Sequence, residues 1–302
     1  MNRMTKFTLL FIVTLFTGMA CGLSAPAPLP ELPPITVPNP TTLVPPPGFF
    51  DETATPFTAL VPVTDTPPPS ESAVPEYSFS WLRLQIPAGV AGGGLSNVIP
   101  GVNPSQEVAP WEVAPLHEEV ALTGYALSGT FHEARIYIYP VHEFTAMEPT
   151  VGERAAELQI LLQNKPADPG SVPFLPFWNA GQVFLAMPAY LEFQNGSGVR
   201  YLTQYGQSTM PINNHGLFYS FQGLTRDGSY WVSAVLPVNH SSIQPTYDNP
   251  LPADMEQFMA DYEAYTDMIR AGLEGQPLDS FSPSVTELDA MMQSMLIGPL
   301  GP

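Results

Sequence analysis

Several common functional signatures are missing from this sequence. It has one cysteine, Cys21, in 302 residues. No internal disulfide can form, and no metal site can be built from clustered cysteines. Positive charge is also scarce. Nine lysines and arginines stand against 28 acidic residues, a formal net charge of −19. Such a chain repels phosphate backbones, so nucleic acid is excluded as a partner. It equally resists charge-driven adhesion to anionic lipid. Charged residues make up only 12% of the chain, low for a cytosolic protein. Catalytic signatures are missing too. There is no HExxH helix for zinc and no GxSxG elbow for a serine nucleophile. Gly92-Gly93-Gly94 is not followed by Lys-Ser/Thr, so it reads as part of a flexible loop over residues 88–115 rather than a phosphate cradle.

What is present begins at the N-terminus. Residues 1–20 have the three parts of an export signal: Arg3 and Lys6, the apolar run 7–16, and Thr17-Gly18-Met19-Ala20 before a cut. The run is too short to span a bilayer, which takes about 20 residues. Ala20-Cys21 resembles the lipobox of bacterial lipoprotein precursors, where a small residue precedes the cysteine that is lipidated and becomes the new N-terminus. Gly18 and Met19 depart from the usual residues of that motif. The resemblance implies lipid on Cys21 and a protein held at the extracytoplasmic face of the cell membrane. With Cys21 unmodified, the chain would be secreted.

Residues 21–75 are rich in proline, threonine and alanine, as in APAPLPELPPITVPNP. That composition favours polyproline II and poorly folded chain, so the segment reads as a disordered stalk. Residues 76–302 read as a single α+β domain. The expected plan is an antiparallel sheet of about six to seven strands carrying about three helices.

The clearest element is a hairpin over residues 216–238, with Asp227-Gly228 as a two-residue type I′ turn. That turn pairs Phe221 with Ala234, Tyr219 with Leu236 and Leu217 with Val238, all apolar. Further strands are expected at 77–86, 119–127, 133–139, 182–187, 189–194 and 199–205. A helix is expected after the capping box Thr150–Glu153, another over 253–272, and a last one opened by Ser282-Pro283 or by Ser284 with Glu287. Met291, Met292 and Met295 read as core filler. The order of elements is faintly similar to the PsbP-like α/β/α sandwich, and no function follows from that likeness.

The functional expectation is a non-enzymatic binding or scaffolding ectodomain, with no cofactor, tethered to the membrane and meeting an unidentified envelope protein or ligand. The alternative is an extracytoplasmic hydrolase or metal-dependent enzyme using His132, His142 or His215. His117, His132 and His142 each precede a glutamate. Strand neighbours point to opposite faces, so no such pair makes a site by itself.

Overall fold

The computed structural model describes residues 74–104 and 107–299. The expected export signal, Cys21 and the expected stalk up to residue 73 lie outside the described residues.

The fold is α+β. Seven strands form one antiparallel sheet: β3 (Gly93–Ile99), β4 (His117–Thr123), β5 (Arg135–Pro140), β6 (Gly181–Phe193), β7 (Gly196–Gly206), β8 (Phe218–Thr225) and β9 (Tyr230–Pro237). Their spatial order is β3-β4-β5-β9-β8-β7-β6. Strands β6 to β9 therefore meander inward from one edge until β9 pairs with β5. A small second sheet joins β1 (Glu76–Ser78), β2 (Leu82–Gln85) and β10 (Leu296–Ile297) in the order β1-β2-β10. Five α-helices complete the described residues: α1 (Val141–Met147), α2 (Pro149–Asn164), α3 (Met255–Ala260), α4 (Tyr262–Glu274) and α5 (Val285–Gln293). About three were expected.

The central hairpin β8–β9 has the expected register, with Phe221 opposite Ala234 and Tyr219 opposite Leu236. Val238 N also donates to Leu217 O at 3.2 Å. The turn is of another kind. Gly228 has a φ of 72°, but Asp227 is not left-handed. Gly228 N donates to Thr225 O at 2.8 Å. The Asp227 carboxylate accepts from Thr225 Oγ1 at 2.6 Å, and from Ser229 N at 3.1 Å. These local bonds hold Asp227 in an ordinary conformation and leave Gly228 alone to reverse the chain.

Every residue of β8 is buried, and all of β9 except half-buried Tyr230, because the sheet is covered on both faces. One face carries Val120, Ile136, Ile138, Tyr219, Phe221, Val232, Ala234 and Leu236. It packs on β2, α4 and α5, where Val285, Leu288, Met291 and Met292 are all buried, as is Met295 just beyond the helix. The other face carries Tyr139, Tyr201, Leu224 and Trp231 against Phe144 of α1 and Val151, Ala155, Leu158 and Leu162 of α2. Deleting one such buried aliphatic side chain typically costs about 2–5 kcal/mol.

Several expectations need correction. The single strand expected over 77–86 is the hairpin β1–β2. The carboxylate of buried Glu118 accepts from Ser80 N at 2.9 Å and Trp81 N at 2.7 Å, which pins the turn. The expected glycine loop contains strand β3, paired with β4 along its whole length. There the glycines make room for the β1–β2 hairpin: a Cβ on Gly94 would meet Phe79 Cζ at 2.8 Å. The capping box at Thr150 does not form. Glu148 is the N-cap, and its side chain accepts from Thr150 N. The helix expected over 253–272 is divided at Asp261 into α3 and α4. The last helix starts from Ser284 rather than Ser282. Ser282 is held in extended chain by paired bonds with Asn239 at 2.8 and 3.0 Å.

Candidate functional site

Beyond α2, no helix among the described residues covers the second face of the sheet. A cleft of about 850 Å³ opens there. Its floor belongs to a separate apolar cluster of Phe174, Phe218 and Val235, with Tyr137, Trp178 and Tyr205 packed on it. Strand alternation places these residues: Tyr137, Val235, Phe218 and Tyr205 all point away from the α5 side.

The loop between α2 and β6 forms one wall, and a polar seam in the sheet fixes its position. Gln222 is buried. Its Oε1 accepts from Leu175 N at 3.2 Å and from Trp231 Nε1 at 2.9 Å. Its Nε2 donates to Leu175 O at 3.2 Å and to Ser233 Oγ at 2.8 Å. On the helix side, Arg154 donates to Phe174 O at 3.2 Å, and its guanidinium lies 4.8 Å from the centre of the Phe177 ring. Held from both sides, the loop presents Trp178. A second groove of about 820 Å³, between α2 and this loop, shares Trp178, Ala180 and Tyr205 with the first.

His132 lies flat on Trp178, with ring centres 4.6 Å apart and an interplanar angle of 6°. It meets Phe218 edge-on at 4.9 Å. Burial, together with the charge of His215, pushes its pKa down to about 4. It is therefore a neutral ring at pH 7. His215 Nδ1 lies 2.9 Å from Gly129 O. A carbonyl oxygen only accepts, so Nδ1 carries the proton and the Nε2 of the neutral ring has a lone pair. Phe131 N donates to His215 O at 2.8 Å, which ties the two loops at the mouth together.

The remaining wall holds an ion-pair cluster. Arg135 donates to Glu119 Oε2 at 2.5 Å and also to Glu133. His117 Nε2 lies 3.7 Å from the other oxygen of Glu119. His117, close by, and the Arg135 guanidinium, which donates to it, hold the Glu119 carboxyl below the usual range, against the opposing effect of burial. Tyr137 is pushed up to about 12, chiefly by burial.

Of the three histidines singled out from the sequence, His132 and His215 line this cleft together with Glu133. His142 does not. It is the second residue of α1 and faces solvent. The aromatic rim was not apparent from the sequence. Trp111, Phe131 and Tyr247 are 46%, 70% and 46% exposed, and all three line the cleft. Trp111 sits in a short 3-10 turn, Pro110–Glu112, and Phe131 and Tyr247 in two separate loops, so no periodic signal joins them. The one hint in the sequence is the close spacing of Phe174, Phe177 and Trp178 between α2 and β6.

The arrangement offers aromatic faces, amide groups, one guanidinium paired twice, and the free Nε2 of His215. Among the described residues, no serine hydroxyl hydrogen-bonds to His132 or His215. His240, which does bond to Ser242 Oγ at 2.7 Å, lies away from the cleft beside Phe281. No group of three or more His, Cys, Asp or Glu is placed to hold a metal ion among the described residues. No helix among them is long and apolar enough to cross a membrane. Comparison with known proteins finds no matching family model, no matching curated protein and no matching solved structure.

Proposed function

We propose that this protein is a cell-surface lipoprotein, fixed by lipid on Cys21 and standing on its proline-rich stalk, and that its domain is a non-enzymatic binding module seated on the aromatic cleft. The export signal, the single cysteine at its end and the acidic composition support the location. The reading of the domain rests on one observation: three aromatic rings, each about half exposed or more, surround one open cavity of about 850 Å³. Scattered exposed apolar residues are ordinary, but a concentrated set around a cavity of ligand size is the usual form of a binding site.

Two measurements test this. The intact mass of the membrane-extracted protein should show a chain starting at Cys21 and carrying acyl groups; an unmodified thiol there removes the anchor. A thermal-shift screen of the full chain against small soluble ligands should give hits that stabilise by about 2.7 kcal/mol at 100 times Kd. Those hits should weaken on Trp111→Ala. Hits indifferent to that substitution place binding elsewhere.

One observation favours an enzyme, namely that His132, His215 and Glu133 share the cleft. A general base works best with a pKa near the working pH. His132 is far below that at about 4, and Glu133 is occupied by Arg135. His215 is the one candidate base left. Hydrolysis of any ester or amide probe that disappears in His215→Ala would establish that second reading.

A further inference from the structure

The polar groups of the cleft narrow down what it binds. Gln204 lines it and is only 5% exposed. Its Oε1 accepts from Asn213 N at 3.0 Å, while its Nε2 donates to no described residue. His215 lines the same space, and with Nδ1 committed to Gly129 O the lone pair of its neutral ring is on Nε2. One donor and one acceptor thus stand ready among rings. A purely apolar ligand would leave both unpaired, which is unfavourable for a group as buried as Gln204. The charges exclude another class. Arg135 is matched by both Glu119 and Glu133, so the cluster sums to −1. Within a chain of net charge −19, that gives an anion nothing to bind. What remains is a neutral molecule with apolar faces and hydroxyl edges.

We propose that the cleft takes a neutral oligosaccharide. Its sugar rings lay their C–H faces on Trp111, Phe131 and Tyr247, and its hydroxyls pair with Gln204 Nε2 and His215 Nε2. The openness of the cleft suits a chain passing through, and the neighbouring groove beyond Trp178 gives a longer glycan somewhere to continue. This inference rests on the cleft being the ligand seat, and the experiment separates the two.

The full chain, extracted in detergent, is applied to an array of neutral oligosaccharides of hexoses and N-acetylhexosamines, with uronic-acid oligosaccharides and an alkyltrimethylammonium probe alongside. Affinities for hits come from calorimetry. The expected result is binding to neutral glycans, weakened about tenfold by Trp111→Ala or Tyr247→Ala and comparably by Gln204→Leu. Uronic-acid glycans should bind more weakly than their neutral counterparts. If only the ammonium probe binds, and the rim substitutions weaken it, the saccharide is wrong and the cleft stands. If neutral glycans bind and all three variants bind equally well, both the saccharide assignment to this cleft and the cleft as ligand seat fail. If no neutral glycan binds at millimolar concentration, the saccharide is overturned.

Discussion

The two faces of the seven-stranded sheet are built from alternate residues of the same strands, yet they differ in kind. The face toward β2, α4 and α5 is closed along its length by aliphatic and aromatic side chains. Its main buried ion pair is completed within the protein: Arg200 meets Asp289 at 3.2 Å, and Asp289 also accepts from Tyr219 at 2.9 Å. The opposite face is divided. Near α1 and α2 it is closed, then comes the Gln222–Ser233 seam, and then an open cleft. Because a strand alternates, one set of residues can carry stability while the other is left partly uncovered. On this view, substitutions on the α5 side should change stability and leave the cleft alone, and those at the mouth should do the reverse.

The largest expected effect is on the closed face. Asp289→Ala leaves the Arg200 guanidinium, a nearly buried side chain, without its carboxylate. Breaking such a pair from one side typically costs about 3–5 kcal/mol. Urea unfolding should show a loss of that size, with ligand affinity of the folded fraction unchanged. Replacing both partners, as in Arg200→Met with Asp289→Leu, should recover much of it. A cleft that stopped binding in folded Asp289→Ala would mean the faces are not independent.

A pH effect comes next, and it belongs to the open face. The pKa of His132 in the folded protein is about 4, against an ordinary 6.5. The unfolded chain therefore takes up a proton first as pH falls. The stability contributed by the neutral ring is whole above pH 6.5 and is lost as pH drops toward 4. At about 1.4 kcal/mol per unit, the loss is on the order of 3 kcal/mol. His132→Phe keeps a ring against Trp178 and should remove this slope. An unchanged slope would show that another group carries it.

How far the sequence could be read follows the same division. The β8–β9 register was legible because a reversal signal stands between two alternating apolar runs. The buried stripe of α5 was legible from helical spacing. Strand β3 was not, since GGLSNVI has no alternation and exists as a strand through its long-range pairing with β4. Helix α1 directly follows β5 at Pro140 and has no cap signal of its own. The cleft was the least legible part. Residues 111, 131, 178, 205 and 247 are far apart in the chain and meet only in the folded domain, Trp178 on the loop that Gln222 holds. Residue type alone singled out His132 and His215, and it gave solvent-facing His142 as an equal alternative.

Gln222 is where the comparison can be sharpened, because it is buried yet serves the open face. Gln222→Leu strips Leu175 N, Leu175 O and Trp231 Nε1 of partners. Ser233 Oγ still donates to Leu175 O, so that carbonyl is partly rescued. An unpaired buried group costs about 1–3 kcal/mol. The substitution should also loosen the loop that presents Trp178, so stability and ligand affinity should fall together. Loss of stability with binding intact would show that the loop is held by Arg154 alone.

The smallest expected effect lies at the mouth. Phe131 is 70% exposed, with its ring 4.8 Å from His132 and 6.0 Å from His215. Substitutions at such positions usually stay within about 0.5 kcal/mol. Phe131→Ser should therefore leave the urea midpoint almost unmoved while removing a ring that a ligand would cover. A protein selected only for stability gains little from keeping a phenyl ring in water, whereas a binding site gains area that is desolvated when the ligand arrives. If Phe131→Ser cost as much as Gln222→Leu, the ring would be a structural prop for the two histidine loops, and the mouth of the cleft would belong with the core.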